Sequence, residues 1–482
     1  MDGLEITEIK FSELVIDNEK YRIDSEFYLK KYIQSYSLIK SRNNLQIVDL
    51  YSTFTDFHSN GSYETIAQHY KLLDEKNYAY MVRTTDLEKE NYNDSVKYVT
   101  KETYDFLSKS KVYGGELLIN KIGSPGRTYL MPKLDMPVSL GMNLFMLRIK
   151  ESENTCEELI YLFFNSKIGK NIIERKINGT VPLTIDKEAV KSLYIPLFSK
   201  DFVLSIKTVL NKKNDCIKKA REIYETVENE LKAKFSYREK KDVYTIKNYS
   251  SILNGTRLDA EYYQPKYDEL FNVLNKYNTR KLGGKKGLVD IKKSIEPGSE
   301  SYQDEGIPFV RVSDVDKFGI SNPDIKISKD IVINIEELYP KKDTILFSKD
   351  GSIGIAYKVQ EDSEVVTSGA LLHLTIKDTN EILPDYLTLI LNSPVVQLQA
   401  ERDCNNAIIQ HWKPSDIERI IIPVLDIDEQ KVIAEKVQES FRLRKKSKEL
   451  LDIAVKAVEM AIETDEEAAL VWLRDMISHL EV

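Results

Sequence analysis

The sequence has few of the residues that build disulfide scaffolds and metal sites. Among 482 residues there are three cysteines, Cys156, Cys216 and Cys404, which are far apart and form no CxxC pair. The five histidines show no metal-ligand spacing such as HExxH. This pattern excludes a disulfide framework, predicts no metal site and favours a reducing cytosol.

Long apolar runs and a secretory leader are also lacking. No stretch approaches the roughly 18 apolar residues that a spanning helix needs, and the first five residues lack a basic segment followed by an apolar one. We therefore expect a cytoplasmic protein without membrane contact. Hydrophobic residues make up 42% and charged residues 30%, which is typical of a folded chain with two or three domains.

The motifs of common enzymes are missing as well. The sequence contains no GxxxxGK[ST] phosphate loop, no GxGxxG after a strand and no GxSxG elbow. It also lacks the Asn/Asp-Pro-Pro-Tyr/Phe tetrapeptide with which amino-methyltransferases hold the target amine. We predict no catalytic residue in this chain.

What the sequence does have is an internal repeat. Residues 22–32 match residues 257–267 at 6 of 11 positions. Three further matches follow in the same order, with offsets of 228, 228 and 227: Val82–Leu87 with Val310–Val315, Gly123–Gly126 with Gly351–Gly354, and Asn165-Ser166, Arg175 and Ile195-Pro196 with Asn392-Ser393, Arg402 and Ile422-Pro423. Four ordered matches with nearly constant offset indicate a tandem duplication.

Each copy shows the same succession of elements. Short apolar or alternating runs bounded by turn residues predict strands at 80–83, 117–120 and 144–149, and again at 308–312, 344–348 and 371–376. A helix is predicted at 158–176, with its copy at 385–402. A long helix then closes each copy.

The closing helices carry matching heptad patterns. In the first, apolar residues step by three and four from Val203 to Leu231, interrupted by Lys213. The same phase in the second helix is more polar in its first half. Two long helices of one phase favour pairing with each other as a coiled coil. The residues predicted to form the contact are Ile206, Leu210, Ile217, Tyr224, Val227, Leu231, Ile433, Val437, Leu451 and Val458.

This arrangement resembles the specificity (S) subunit of a Type I restriction–modification system. The similarity is carried by Asp343–Gly354, Tyr386–Pro394, Ile420–Pro423 and the helix beginning near Glu429-Gln430. The first copy departs from the pattern, with Asn120-Lys121-Ile122 before its glycine turn and Leu197-Phe198-Ser199 after Ile195-Pro196. The resemblance covers nearly the whole chain.

The resemblance implies an α+β fold with two tandem strand-rich target-recognition domains, each followed by a long helix. The two helices would pair as an antiparallel coiled coil with pseudo-two-fold symmetry. The expected domains are recognition domain 1 at 1–198, a central helix at 199–240, recognition domain 2 at 241–425 and a C-terminal helix at 426–482.

The resemblance also implies a function. The chain would read a bipartite site on double-stranded DNA and direct an adenine-N6 methyltransferase to it, without catalysing anything itself. Two methyltransferase subunits would bring S-adenosylmethionine, and a restriction subunit, where present, would use ATP. An alternative is a duplicated coiled-coil scaffold that binds protein or RNA in another defence or nucleoprotein complex. The presence or absence of an adenine methyltransferase gene next to this one discriminates between the two.

The net charge of −8 opposes a DNA-binding interpretation. The net charge of the whole chain does not describe the charge of each surface, however. Between Ser108 and Lys133 five basic residues stand against one acidic residue, a local charge of +4. The C-terminal stretch is strongly acidic. A positive face near the predicted turns is compatible with an acidic tail elsewhere.

Six residues are candidates for DNA contact: Arg83, Lys121, Arg127, Arg311, Lys349 and Gln410. Arginine is the commonest reader of guanine and glutamine can pair with adenine. Each copy has one of these arginines, Arg83 or Arg311, three residues before an aspartate. Two different DNA half-sites should need different readers, so a structural or phosphate-binding role is favoured for the arginines over base reading. The Gly-Ser-x-Gly segments are interpreted as tight turns rather than phosphate cradles. Base readers are expected where the copies differ most, at 50–78 and 283–306.

Overall fold

The computed structural model describes residues 6–481 except 12–13, 15–17, 19, 91, 93–95, 180–181, 237–245, 247–258, 322, 332 and 405–410. The chain forms two compact units. Unit 1 comprises residues 1–216 and 446–482, and unit 2 comprises residues 217–445. The division falls inside both long helices, so the four domain boundaries expected from the sequence stay a prediction.

The described residues of unit 1 form three sheets. Strand β1 pairs with β10, a four-stranded antiparallel sheet has the order β2-β9-β6-β7, and a second has the order β4-β3-β8-β5, with β3 parallel to β8. The strands are β1 (Asn44–Gln46), β2 (Tyr51–Asp56), β3 (Ala79–Val82), β4 (Lys97–Val99), β5 (Lys111–Val112), β6 (Leu117–Asn120), β7 (Thr128–Leu130), β8 (Val138–Leu140), β9 (Leu144–Ile149) and β10 (Tyr194–Pro196). The helices that precede the first long helix are α1 (Lys30–Lys40), α2 (Ile47–Leu50), α3 (Tyr63–His69), α4 (Thr84–Glu88), α5 (Lys101–Phe106), α6 (Glu157–Asn165), α7 (Lys167–Glu174) and α8 (Lys187–Lys191).

The first long helix is α9 (Lys200–Lys234), whose second half belongs to unit 2. The strands of unit 2 are β11 (Thr279–Lys281), β12 (Val289–Lys293), β13 (Tyr302–Gln303), β14 (Ile307–Val310), β15 (Val315–Asp316), β16 (Gly319–Ile320), β17 (Lys326–Ile327), β18 (Ile345–Ser348), β19 (Ala356–Lys358), β20 (Val366–Thr367), β21 (Leu371–Ile376) and β22 (Ile421–Pro423). The remaining helices are α10 (Pro265–Leu274), α11 (Pro384–Leu391), α12 (Pro394–Asp403), α13 (Pro414–Ile417), the second long helix α14 (Ile427–Glu463) and α15 (Glu466–Glu481).

Unit 2 repeats the topology of unit 1. Its β11 pairs with β22, its antiparallel sheet has the order β12-β21-β18-β19, and β14 runs parallel to β20. Each of these pairings has its counterpart in unit 1. The α+β fold with duplicated strand-rich units, each continuing into a long helix, is therefore confirmed.

The antiparallel sheet of unit 1 is covered on both faces. Along β6, Leu117 and Ile119 enter a core formed with the helices, whereas Leu118 between them packs against the second sheet. Strand β9 alternates in the same way. Because successive side chains of a strand point to opposite faces, such a strand needs apolar residues at every position. This explains the continuous apolar runs in the sequence.

The helices predicted at 158–176 and 385–402 are each two helices, so those predictions were wrong in extent. Ser166 has extended backbone angles between α6 and α7, and its side chain accepts a hydrogen bond from the amide of Gly169. Ser393 is equally extended and precedes Pro394. A serine cap ends one helix and begins the next, and a proline disfavours helical geometry at the preceding residue.

The first long helix ends at Lys234. The stretch 426–482 is not one helix, because α14 ends at Glu463 and α15 begins at Glu466. The carboxylate of Asp465 accepts the amide of Ala468 at 2.8 Å, which caps the new helix. Among the helices of the described residues, none is long and apolar enough to cross a membrane.

In unit 1, the first half of α9 packs against the second half of α14. Ile206 and Leu210 are buried in one cluster with Ala454 and Val458. The hydroxyl of Ser447 donates to the carbonyl of Lys213 at 3.2 Å, and the amide of Ser199, just before α9, donates to Glu466, just after α14. Residue numbers rise along one helix as they fall along the other, so the pair is antiparallel.

In unit 2, the second half of α9 packs against the first half of α14. Tyr224, Val227 and Leu231 share a buried cluster with Ile433 and Val437. The hydroxyl of fully buried Ser440 donates to the carbonyl of Ala220 at 2.7 Å, and Lys436 pairs with Glu230 at 2.8 Å. The antiparallel pairing of the helices is confirmed. Small serines that bond the facing backbone explain why the second heptad pattern is partly polar.

Eight of the ten contact residues predicted for the helices are buried. The other two, Ile217 and Leu451, are half-buried. On α14 the neighbouring Leu450, Ile453 and Ala457 are buried too. This part of α14 therefore buries more of its surface than one heptad stripe, because α6, α7 and α15 contribute residues to the same core.

A buried histidine in unit 2 links folding to pH. His373 on β21 is 8% exposed and hydrogen-bonds the hydroxyl of Thr367 at 2.8 Å. Burial, assisted by the charge of Lys292, lowers the pKa of His373 to about 4. In the unfolded chain this histidine has a pKa of about 6.5, so below that pH the unfolded chain binds more protons than the folded one. The contribution of His373 to the free energy of unfolding is therefore complete above pH 6.5 and is lost as the pH falls toward 4.

We expect His373→Gln to flatten the pH dependence of stability. The wild-type free energy of unfolding should fall by about 2 kcal/mol between pH 7 and pH 5 through this group. Glutamine keeps a polar partner for Thr367 but takes up no proton in this range. Urea unfolding at the two pH values measures the difference. Equal pH slopes in variant and wild type would contradict the assignment.

Candidate nucleic-acid interface

The loop after β3 is held by an arginine–aspartate pair. Arg83 donates from its amide and its guanidinium to the carboxylate of Asp86, with contacts of 2.7–3.1 Å. The hydrogen bond to this carboxylate raises the pKa of Arg83. Arg311 and Asp314 repeat the arrangement after β14, with the amide of Arg311 at 2.9 Å and its Nε at 3.5 Å from the carboxylate. The arginine–aspartate contact therefore closes the loop in both units, and the structural or phosphate-binding role favoured for the arginines stays a prediction.

The glycine segments form equivalent hairpin turns between β6 and β7 and between β18 and β19. The amide of Gly126 donates to the carbonyl of Asn120, and that of Gly354 to the carbonyl of Ser348, both at 2.9 Å. The glycines have φ between 71° and 89°, which side chains other than glycine rarely adopt. Since the turn amides bond the chain itself, the interpretation as tight turns is supported.

In each unit, the arginine–aspartate loop and the glycine turn lie next to a third segment, the loop that precedes β9 or β21. In unit 1 the amide of Lys121 donates to the carbonyl of Asn143, and the hydroxyl of Thr84 donates to Asn120 at 3.3 Å. In unit 2 the amide of Lys349 donates to the carbonyl of Ala370. We call the resulting surface, at the carboxyl ends of the parallel strand pair, the candidate interface. It consists of 83–88, 121–127 and 141–143 in unit 1, and of 311–314, 349–354 and 369–370 in unit 2.

The structure thus brings Arg83, Lys121 and Arg127 onto one surface, and Arg311 and Lys349 onto its counterpart. Each of these cations contacts a carboxylate. Lys121 is 3.0 Å from Asp56, Arg127 is 2.9 Å from Glu88, and Lys349 pairs with its neighbour Asp350. A phosphate would have to compete with the carboxylates for these cations. Contact of these residues with DNA stays a prediction.

The pair of Asp56 with Lys121 is the more enclosed one in unit 1. Their side chains are 16% and 12% exposed, against 34% and 49% for Glu88 and Arg127. Burial alone would raise the pKa of Asp56, but hydrogen bonds from Ser59 and Lys121 outweigh burial and hold this pKa below its ordinary value. Arg127 is therefore the cation that can most readily turn toward an anion.

The predicted basic patch is only partly neutralised. Lys111 contacts Asp105 at 3.5 Å. Lys109 and Lys133 are exposed, and neither has an ion-pair partner in the part of the chain that the structure describes. The local positive charge therefore rests mainly on these two lysines.

Gln410 lies outside the described residues. Its neighbour His411 hydrogen-bonds Asp350 at 2.8 Å, and the amide of Trp412 donates to the carbonyl of Lys349 at 2.7 Å. Trp412 is 1% exposed and packs near Phe347, as expected of a core residue. No group of acidic, histidine and cysteine residues within the described ranges could hold a metal ion.

The sequence did not predict how the recognition part of unit 2 is tied to its helices. The hairpin of β15 and β16 places Phe318 4.9 Å from the ring of Tyr224, and the guanidinium of Arg444 stacks 3.5 Å from the centre of the Phe318 ring. Lys317 pairs with Glu228 at 3.0 Å. The sequence did contain one indication of this contact, because Arg444 is a charged residue at a position where the heptad pattern calls for an apolar one.

Two units that share most of their strand pairings, each with an antiparallel helix pair, define a duplicated α+β protein with a candidate interface in each unit. Residues 276–452 match the family model for the "Type I restriction modification DNA specificity domain". The resemblance to specificity subunits is therefore confirmed for this segment.

A curated protein that this chain resembles is the specificity subunit of the Type I restriction enzyme EcoBI from Escherichia coli, 27% identical over 148 residues. The match spans 30% of this chain and 31% of that protein.

Solved structures give a more distant similarity. The S subunit of the Type-I restriction-modification system from M. genitalium aligns over 90% of this chain and 95% of its own, with 14% identity and a TM-score of 0.32. The HsdS subunit from Thermoanaerobacter tengcongensis aligns over 88% and 97%, with 14% identity and a TM-score of 0.26. Both scores are low, so the resemblance rests on the family model and the curated relative.

Proposed function

We propose that this chain recognises a bipartite DNA sequence and directs an adenine-N6 methyltransferase to it. Each unit reads one half of the site through its candidate interface. The chain supplies no catalytic residue. Two methyltransferase subunits bring S-adenosylmethionine, and a restriction subunit that uses ATP joins where the system has one.

One observation carries the proposal. Unit 1 repeats three features of unit 2: the two-stranded pairing, the order of the antiparallel four-stranded sheet and the parallel strand pair. Unit 2 contains most of the segment matching the DNA specificity domain. Two units of one topology on one chain are suited to two half-sites, in the way that dimeric DNA-binding proteins match two half-sites.

The differences between the units support the same proposal. The arginine–aspartate pair and the glycine turn occur in both, whereas the residues between them differ. Thr84-Thr85 in unit 1 corresponds to Val312-Ser313 in unit 2, and Met142-Asn143 corresponds to Gly369-Ala370. A shared framework with different exposed side chains is what reading two different sequences requires.

Sequencing of methylated bases in cells with and without this gene tests the proposal. We expect one bipartite methyladenine motif to disappear with the gene, while all other methylated motifs stay. No change in any motif would refute the proposal and favour a scaffold for protein or RNA.

A further inference from the structure

A cleft of about 310 Å³ opens within the candidate interface of unit 1. The loop 141–143 forms one side of it, with Arg83, Thr84 and Thr85 on another, and Leu72 adds an apolar wall. The cleft combines convergent polar groups with exposed apolar ones, which is the composition of a ligand-binding site.

We propose that this cleft reads an A·T base pair in the half-site of unit 1, with Asn143 as the residue that contacts adenine. The inference rests on the proposed function and names a specificity-determining residue for it. The side chain of Asn143 is exposed and has no hydrogen-bond partner among the described residues. An asparagine amide offers one donor and one acceptor side by side, which match N7 and the N6 amino group of adenine.

The backbone holds Asn143 in position. Its carbonyl accepts the amide of Lys121 at 2.8 Å, and the next residue, Leu144, begins β9 and is fully buried. The backbone that carries this side chain is therefore already ordered, so contact with a base costs less conformational entropy.

The apolar lining suits thymine, the partner of adenine. Met142 and Leu72 are 45% and 39% exposed, and the exposed Thr85 adds a methyl group. Apolar side chains contact the C5-methyl group, which thymine alone carries among the four bases.

The other base pairs are less well matched. Guanine is read by a guanidinium fork, but the arginine of this cleft, Arg83, already directs two guanidinium nitrogens at Asp86. Cytosine is read by a carboxylate, and none is among the described residues that line the cleft.

Unit 2 cannot read the same pair in the same way. Ala370 stands at the position of Asn143, and Gly369 stands at the position of Met142, so both side chains are missing there. The preference for A·T at this position should therefore belong to one half of the site.

The test introduces Asn143→Ala into the chromosomal gene and sequences methylated bases across the genome. We expect the motif to become degenerate at a single A·T position in one half, with discrimination there reduced about 5- to 150-fold. Asn143→Ser should give the same relaxation. Asn43→Ala is the matched control, because Asn43 is also exposed, also accepts a backbone amide through its carbonyl (that of Leu197) and does not line the cleft.

Three results would overturn the inference: an unchanged motif in both Asn143 variants, a change in both halves, or a uniform loss of methylation without relaxation in both variants. Failure of the proposed function would look different. In that case, deletion of the whole gene would leave every methylated motif in place.

Discussion

Leu210→Asp should abolish the function of the chain by separating its helices. Leu210 is 3% exposed and shares the unit 1 core with Leu450 and Ala454. Loss of a buried leucine side chain costs about 2–5 kcal/mol, and a carboxylate without a partner in an apolar core adds further cost. We expect the melting temperature of unit 1 to fall by on the order of 10–20 °C. Association with methyltransferase subunits should be lost with it.

The same helix offers a matched control. Leu204 lies six residues earlier in α9 and is 53% exposed. Leu204→Asp places an identical charge on the same helix without burying it, so surface substitution of this kind should cost little. Circular dichroism melting of the two variants compares them directly. An equal fall of the melting temperature in both variants would show that α9 tolerates an added carboxylate at neither position. Burial of Leu210 between α9 and α14 would then not be the cause.

The repeated residues were predictable from the sequence because they build the framework. Arg175 and Arg402, found as one of the repeated matches, place their guanidinium groups over aromatic rings of the repeated N-terminal block, 4.2 Å from Phe27 and 4.8 Å from Tyr262. The arginine–aspartate pairs and glycine turns are framework of the same kind. A duplicated position marks a shared structural need, which a single sequence reveals through its own internal comparison.

The partners of the framework cations were not predictable. Lys121 is paired with Asp56, which is 65 residues away, and Arg127 with Glu88, 39 residues away. Such contacts depend on how strands assemble into a sheet, and spacing along the chain carries no trace of them. The helix break at Ser166 was missed for a related reason, since the apolar pattern continues across it and a local serine cap overrides the pattern.

Asn143 is the opposite case. The second copy has no asparagine at the corresponding position. Asn143 also lies outside residues 50–78, where the base readers of unit 1 were expected. Its counterpart is Ala370, which has no polar group in its side chain, so comparison of the two copies gives no signal at this position. Only the hydrogen bonds from Lys121 and Lys349 show which residues correspond.

Exchange of one recognition segment should replace one half of the recognised sequence. The segment 51–149 runs from β2 to the end of β9 and contains the candidate interface of unit 1. Its limits leave in place the contacts of α1, α7 and the start of α9 with the C-terminal helices, such as Lys167 with Glu459. With the corresponding segment of a related protein, we expect a new sequence in one half and an unchanged sequence in the other.

The reciprocal exchange supplies the control. Residues 289–376 span β12 to β21 and contain the candidate interface of unit 2. This exchange should alter the other half. Specific protein–DNA complexes are typically about 10³ to 10⁷ times tighter than non-specific ones, so each hybrid should gain a clear new motif and lose the old one. Sequencing of methylated bases reads both motifs in one experiment. If a single exchange altered both halves together, the two units would not read DNA independently, and the duplication would have to serve another purpose.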